Sequence, residues 1–188
     1  TVITGATPHG QGQQTSFAQI AADRLGVSMD DVVVLYGDTN IAHYGRDTYG
    51  SRATAVGGGA LVMCIDRVVD KARRLAAHLL GAKPQQVVFE DGRFGIKGGA
   101  GKQLAWTDLA AEAYVAKNLP AGFEPGLEAS AFFEPTNFTF PFGTHICAVE
   151  IDRDTGEVKI VKYVAVDDCG NQMNPLLIEG QVQGGIAH

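Results

Sequence analysis

The sequence predicts an α+β fold with mixed sheets and packed helices. Three observations indicate this class: one long amphipathic helical pattern, several short β-branched segments bounded by turn residues, and no regular strand–helix–strand alternation. With 188 residues, the chain is long enough for one large domain or two small subdomains with a core. We expect two subdomains, at about residues 1–118 and 119–188.

The first part of the chain is predicted to alternate short strands with helices. Residues 1–4 are β-branched and predict a strand, and the apolar run at residues 31–36 predicts a buried one. A helix lies between them and ends at Gly26. Its apolar residues share one helical face: Phe17, Ile20, Ala21 and Leu25.

A longer helix is predicted from about Ala53 to Gly81. The glycines at 57–59 lower its helix propensity, so we expect them to allow close backbone packing. The basic cluster at 71–74 lies on this helix and is expected to be a solvated face. The remaining elements follow in order: a hairpin at 86–97 turning at Asp91-Gly92, a helix capped at Thr107-Asp108, a crossing segment at 118–143, a hairpin formed by 145–152 and 157–166, and a helix opened by Pro175.

Composition and charge narrow the possible functions. The net charge is −6 and the basic residues are scattered, which argues against a nucleic-acid surface. No apolar run approaches the length of a membrane span. The three cysteines are widely spaced and form neither a disulfide framework nor a zinc pattern, so we expect a cytoplasmic protein. Because the chain begins at Thr1 and stops at His188 after a glycine-rich run, we expect it to be a piece of a longer protein.

A glycine–glutamine loop precedes the first predicted helix. Gly10 and Gly12 bracket Gln11, and glycine lets the backbone approach a ligand closely. The first N–H groups of the helix favour anions, and the Gln11 amide both donates and accepts hydrogen bonds. Such a loop suits a polar, phosphate-bearing ligand, and a plain tight turn is the structural alternative.

Three further segments place glycines beside amide, hydroxyl or guanidinium groups. They lie at residues 49–54, 167–175 and 179–185. Together with the first loop, they could gather backbone N–H groups around one large polar cofactor. For each segment alone, a tight turn is the alternative.

A dinucleotide-binding fingerprint fits the first loop poorly. The motif needs a small residue where Thr15 stands, and Asp38 is a weak candidate for its acidic residue. An NAD(P)-binding oxidoreductase is nevertheless kept as an alternative, and tight binding of NAD(P) would support it.

Five motifs occur in an order typical of a known family: Gly10-Gln11-Gly12, Tyr49-Gly50-Ser51-Arg52, Phe142-Gly143-Thr144-His145, Asp168-Cys169-Gly170 with Asn174-Pro175, and Glu179-Gly180-Gln181 with Gly184-Gly185. They resemble the molybdopterin-binding region of the large subunit in the xanthine dehydrogenase/aldehyde oxidase family. Within that family they are most similar to the large chain of aerobic carbon monoxide dehydrogenases. The resemblance covers almost the whole chain.

This resemblance implies a molybdenum-dependent oxidoreductase. The family hydroxylates substrates at a molybdenum centre, or oxidises carbon monoxide at a molybdenum–copper centre, and takes the oxygen from water. Electrons leave through iron–sulfur clusters and FAD on partner subunits. The molybdenum is held by dithiolene sulfurs of the pterin, so no Cys/His cluster is required. For a bacterial relative we expect molybdopterin cytosine dinucleotide.

The resemblance also assigns cofactor-binding residues. Gln11 falls where the family places an amide beside the metal's oxo ligand, and Gly10 and Gly12 allow that approach. His188 aligns where family members often have a glutamine. Arg52 either contacts phosphate or pairs with Asp47. Other candidates line the phosphate and dinucleotide or occupy the later motifs: Gly50, Ser51, Ala53, Cys169, Gly170 and Gln181.

Two family features are not matched within the chain. The general-base glutamate belongs to a later segment and the loop with the copper-bound cysteine to an earlier one, so we assign no catalytic residue and leave copper open. Cys64 and Cys147 are expected in the core and Cys169 in a polar turn. His43 and His78 are expected to be exposed.

The leading hypothesis is a cofactor-binding fragment of a molybdenum hydroxylase large subunit, inactive on its own, with iron–sulfur and flavin partner subunits. Carbon monoxide, an aldehyde and a heterocycle all remain open as substrates. The alternative is a non-catalytic structural or binding module whose exposed apolar surface drives self-association.

Overall fold

The computed structural model describes residues 1–42, 44–99 and 101–188. These residues form two compact units, Thr1–Pro135 and Thr136–His188. The predicted α+β class is confirmed, since helices and three small sheets are combined. The predicted subdomain boundary near residue 118 remains a prediction about domain organisation. The helices and strands are β1 Val2–Thr4, α1 Gln13–Leu25, β2 Val34–Tyr36, α2 Gly59–Leu79, β3 Val87–Glu90, β4 Arg93–Ile96, β5 Leu104–Ala105, α3 Trp106–Val115, β6 Phe142–Ile151, β7 Val158–Asp168 and α4 Pro175–Ala187.

In the first unit, β1 and β2 form a parallel pair beside α1. The predicted strand at 31–36 is shorter than expected, because its first residue belongs to a 3₁₀ turn, Met29–Asp31. Ser28 caps that turn by accepting a hydrogen bond from the Asp30 N–H. Only Val34 of β2 is buried, so the strand is covered at one end and exposed at the other.

Helix α2 forms the centre of the first unit. It is preceded by one π-helical turn, Ala53–Gly58, so the predicted helical start at Ala53 is confirmed. A Cβ added at Gly57 would lie 3.0 Å from the ring of Phe17 and 3.3 Å from the Ala6 methyl group. The predicted close packing at these glycines is therefore present, and Phe17 is fully buried beneath them.

Strands β3, β4 and β5 form an antiparallel sheet whose first hairpin turns at Asp91-Gly92, as predicted. Helix α3 follows directly, and Asp108 accepts a hydrogen bond from the Ala105 N–H at its start. The core of the unit joins the apolar sides of these elements: Ala21, Ile65, Val69, Ala72, Leu75, Ala76, Ala77, Val87, Phe94, Leu104, Leu109 and Ala113.

The second unit consists of the β6–β7 antiparallel ribbon and α4. The ribbon is longer than the predicted hairpin and has a register shift between Ala148 and Val149. Pro175 opens α4 as predicted, and the Asn174 side chain caps it by accepting from the Leu177 N–H. Every residue of β6 is exposed within this unit, so the prediction that Cys147 lies in the core is wrong. The apolar pattern of β6 predicts a strand correctly, but no other element of this unit covers the strand.

Candidate functional site

The candidate site begins with the Gly10 loop, which we define as residues 9–12. Gly10 has φ +102° and Gly12 has φ +80°, values that favour glycine. Gly12 is the N-cap of α1 and offers no side-chain cap, so the first helical N–H groups point out of the helix end without one. A Cβ at Gly10 would meet no atom within 4 Å, so the backbone there is open to approach. A loop with these features can bind an anion through the first N–H groups of the helix.

The side chain of Gln11 is held within this loop. Its Oε1 accepts a hydrogen bond from the backbone N–H of His9. Because a backbone N–H only donates, this contact identifies the oxygen of the carboxamide and leaves the Nε2 group as its donor. Gln11 therefore presents N–H donors beside the uncapped helix end.

Two contacts tie the Gly10 loop and α1 to the Ser51 segment, which we define as residues 47–53. His9 Nε2 lies 2.9 Å from Asp47 Oδ1, and Gln13 Nε2 donates to Thr48 Oγ1 at 3.0 Å. A further close approach precedes them, since a Cβ at Gly5 would lie 2.5 Å from the Tyr44 carbonyl oxygen. The structure thus brings together the two predicted site segments of the first unit.

The Ser51 segment has an unusual backbone. Gly50 and Ser51 both adopt left-handed conformations, with φ +59° and +56°, directly before the π-helical turn. A serine in this region is strained, and such strain concentrates at functional sites. Arg52 donates to Tyr49 Oη at 3.1 Å and its guanidinium lies 5.1 Å from the centre of that ring. No ion pair joins Arg52 and Asp47 among the described residues, where Asp47 pairs with His9 instead, so that alternative of the sequence analysis is wrong.

Gln13 is a site residue that the sequence analysis missed. It is 5% exposed, yet its Oε1 has no hydrogen-bond partner among the described residues. Leaving a buried acceptor unpaired costs about 1–3 kcal/mol. The available signal was a carboxamide four positions before Phe17, on the apolar face of a predicted helix.

The other candidate residues belong to the second unit. Gly170, with φ +76°, follows Cys169 in the turn after β7, and Asp168 Oδ1 accepts from the Gly170 N–H at 2.9 Å. The Asp168 carboxylate thus ties this turn to its own backbone. Gln181 lies on α4, and His188 is its C-cap. All of these residues are exposed within their unit.

Two histidines and one cysteine have ordinary surroundings. His145 contacts Tyr163 Oη at 3.0 Å and Asp167 Oδ1 at 3.3 Å, as a hydrogen-bonded histidine does. His78 is exposed as expected, and His43 lies outside the described residues. Cys64 is half-buried rather than fully buried. Its pKa is raised, chiefly by burial, although Arg67 and a backbone hydrogen bond act in the opposite direction.

Residues 1–42, 44–99 and 101–188 contain no group of three or more His, Cys, Asp or Glu that could hold a metal ion. None of the helices in this described part of the chain combines the length and apolarity that crossing a bilayer requires. The candidate site offers backbone N–H groups, amides and hydroxyls as binding groups.

Comparison with known proteins identifies the family of the chain. The profile of the molybdopterin cofactor-binding domain matches residues 1–188. The carbon monoxide dehydrogenase large chain of Hydrogenophaga pseudoflava is 46% identical over 182 residues, which are 97% of this chain and 22% of that protein. The nicotine 6-hydroxylase large subunit of Paenarthrobacter nicotinovorans is 37% identical over 187 residues, 99% of this chain and 23% of that protein.

A solved structure of the Cu,Mo-CO dehydrogenase in its carbon monoxide reduced state superimposes with a TM-score of 0.89. The two sequences are 40% identical, and the match covers 97% of this chain and 23% of the chain in that structure. The chain thus spans less than a quarter of the length of the proteins it matches. The resemblance seen in the motifs is confirmed: the chain belongs to the molybdopterin cofactor-binding domain family and is homologous to the large chains of carbon monoxide dehydrogenase and the xanthine dehydrogenase family.

Proposed function

We propose that this chain binds molybdopterin as part of a molybdenum hydroxylase large subunit. The observation that carries the proposal is the start of α1, which has no side-chain cap, follows two left-handed glycines and lies next to the amide group of Gln11. A phosphate-bearing cofactor fits these groups, because helix N-termini and N–H donors bind anions. The Ser51 segment is joined to the loop and to α1 by two side-chain contacts, and it adds backbone and hydroxyl groups to the proposed binding site.

The residues have different proposed roles. Gly10 and Gly12 permit close approach of the backbone, and Gln11 orients the metal-bearing end of the cofactor by donating from Nε2. Further binding groups are assigned to the two units: Gly50, Ser51, Arg52 and Ala53 in the first, and Cys169, Gly170, Gln181 and His188 in the second. Ala53 is buried, so its contribution is through the backbone.

The whole enzyme is proposed to oxidise a small molecule. When bound, the cofactor supplies a molybdenum centre at which the substrate is oxidised with oxygen from water, while electrons leave through iron–sulfur and FAD partner subunits. We propose the cytosine dinucleotide form of the cofactor, and copper only if the substrate is carbon monoxide. Because relatives named for carbon monoxide and for nicotine both match, carbon monoxide, aldehydes and heterocycles remain candidate substrates. This chain binds and orients, and we assign it no general base.

The test is Gln11→Ala in the complete subunit, isolated with its cofactor. Removing a preorganised hydrogen-bond donor of this kind lowers turnover by about 10²–10³-fold. Molybdenum content and the circular dichroism spectrum should be unchanged. Gln14→Ala is the matched control, because Gln14 is an exposed amide in the first turn of α1, directly after the loop. Full turnover of Gln11→Ala with molybdenum bound would contradict the assigned role.

A second proposal concerns residues 1–188 alone, as a structural module without activity. The β6–β7 ribbon exposes large apolar side chains within its unit, including Phe142, Ile146 and Val166. Exposed apolar patches of this kind favour association. We expect the isolated 188-residue chain to self-associate in size-exclusion chromatography with light scattering. A stable monomer over a wide concentration range would argue against this proposal.

A further inference from the structure

A cavity lies beside α2 in the first unit, and none of its lining residues belongs to the Gly10 loop or to the Ser51 segment. It has a volume of about 450 Å³ and is bounded by α2 and by the segment 122–130. Three of its lining side chains, Arg67, Lys71 and Arg74, are spaced four and three positions apart and so lie on one face of α2. These residues include part of the basic cluster that the sequence predicts to be a simple solvated face.

The cations of this cavity lack acidic partners. None of the three forms an ion pair with a carboxylate in the described part of the chain, whereas the adjacent Arg73 pairs with Asp70. Arg67 instead donates one guanidinium N–H to the Ser130 carbonyl oxygen, which fixes the side chain and leaves its other donors available. The three cations therefore form no ion pair in the described part of the chain, although two carboxylates, Glu124 and Glu128, line the same cavity.

An aromatic ring helps to hold two of these cations. Lys71 Nζ lies 5.3 Å, and Arg74 Cζ 5.9 Å, from the centre of the Phe123 ring, which is half-buried. Cation–π attraction restricts both side chains to the cavity. Restricting them in advance lowers the entropy lost when a ligand binds.

Two carboxylates reduce the net positive charge of the cavity. Glu124 and Glu128 line the cavity, and Glu128 accepts a hydrogen bond from the Tyr114 hydroxyl at 3.3 Å. The three cations outnumber these two carboxylates, so the cavity has a net positive charge that attracts an anion. Its bounded volume suits a compact anion. Its volume falls within the range of small-molecule sites.

The cavity is separate from the candidate cofactor site. Arg67 follows Ala53 by 14 positions along one continuous helical segment, Ala53–Gly58 and then α2. At about 1.5 Å per residue, this spacing corresponds to roughly 20 Å. A ligand in the cavity would thus not touch the Ser51 segment.

We propose that this cavity binds a small phosphate monoester. The guanidinium forks of Arg67 and Arg74 match phosphate oxygens, and Lys71 adds a point charge between them in sequence. The ligand class is the phosphate group with a small organic substituent, which Phe123 contacts through its ring. The proposal does not depend on molybdopterin binding, because no residue is shared between the two sites.

The experiment titrates the cofactor-loaded protein with ribose 5-phosphate, and separately with inorganic phosphate, by calorimetry and ³¹P line broadening at low ionic strength. The double variant Lys71→Gln/Arg74→Gln should weaken binding about tenfold, since two charge contacts are lost. Arg73→Gln is the matched control, because it removes the same charge one position away but outside the cavity. It should leave binding within about twofold.

A variant of opposite sign completes the test. Glu124→Gln removes a negative charge from the wall and should tighten binding of both probes. Tighter binding of ribose 5-phosphate than of phosphate by the unmodified protein indicates that the organic substituent is also recognised, whereas equal binding assigns the site to free phosphate. Three results would overturn the proposal: no binding of either probe at millimolar concentration, equal weakening by Arg73→Gln, or no response to Glu124→Gln.

Discussion

The contact between Gly26 and Gly92 provides the sharpest test of the packing. Gly26 ends α1 with φ +61°, and a Cβ built there would lie 2.8 Å from both the Asp91 carbonyl carbon and Gly92 Cα. A Cβ at Gly92 would in turn lie 2.5 Å from the Gly26 carbonyl oxygen. The end of α1 and the β3–β4 turn thus touch backbone to backbone. We predict that Gly26→Ala destabilises the first unit by more than its conformational strain alone.

The magnitude follows from a matched pair of helix ends. Gly81, after α2, has φ +62° but no atom within 4 Å of its added Cβ. Left-handed strain costs about 1–2 kcal/mol for alanine, partly offset by about 0.4–1 kcal/mol of unfolded-state entropy. Gly81→Ala should therefore lower the free energy of unfolding by roughly 1 kcal/mol. Gly26→Ala adds overpacking of about 1–3 kcal/mol against backbone that cannot swing away.

Trp106 reports on this contact directly. It is the only tryptophan, and its Nε1 donates to the carbonyl oxygen of Leu25 at 2.8 Å, next to Gly26. Urea unfolding followed by tryptophan fluorescence gives the free energy of unfolding, and the native emission maximum shows whether the hydrogen bond persists. We expect a shifted maximum in Gly26→Ala and an unchanged one in Gly81→Ala. Equal destabilisation by the two substitutions would refute the role given to the backbone contact.

Two further predictions follow from the pKa directions. Burial raises the pKa of the Cys64 thiol. Iodoacetamide should therefore alkylate Cys64 more slowly than the exposed Cys169 at neutral pH. Mass spectrometry measures the two alkylation rates, and we expect their difference to decrease at alkaline pH. Similar rates at neutral pH would contradict the burial argument. Asp152 has a pKa lowered mainly by accepting from the Thr155 and Asp154 N–H groups. Because the folded pKa is the lower one, its support of the β6–β7 turn is present above the ordinary carboxyl pKa and is lost as the pH falls through the folded pKa. The amide shifts of Thr155 and Asp154 should report this loss in an acid titration, and shifts unchanged down to that acid range would speak against it.

Elements with local signals could be predicted from the sequence. The β3–β4 turn at Asp91-Gly92 and the start of α4 at Pro175 depend on residues that fix the backbone themselves. The strand at 31–36 could not be placed correctly, because the Ser28 hydroxyl competes for the backbone and forms a 3₁₀ turn. The apolar run at 31–36 indicates that the segment is partly buried, but the Ser28 cap before it helps to determine where the strand begins.

The candidate site was predictable in its parts but not in its assembly. Glycines and amides mark the Gly10 loop and the Ser51 segment in the sequence, since glycine is required at left-handed positions. The contacts that join them are not local, as the pair Gln13–Thr48 spans 35 positions. No spacing rule connects such residues, so His9–Asp47 and Gln13–Thr48 become visible only in the structure.

The position of strain supports the assignment of this site. A left-handed serine at 51 and the unpaired buried oxygen of Gln13 both lower stability, by about 1–3 kcal/mol each. Both occur where the Ser51 segment meets the start of α1, and Phe17, one helical turn beyond Gln13, is fully buried and offsets part of the cost. Natural proteins retain such costs mainly where function requires the geometry. A glycine at position 51 would relieve the backbone strain, and the Gln13 hydrogen bond to Thr48 accounts for the Nε2 group of that side chain but not for its buried Oε1. The retained carboxamide and serine therefore favour a binding role for this interface over a purely structural one.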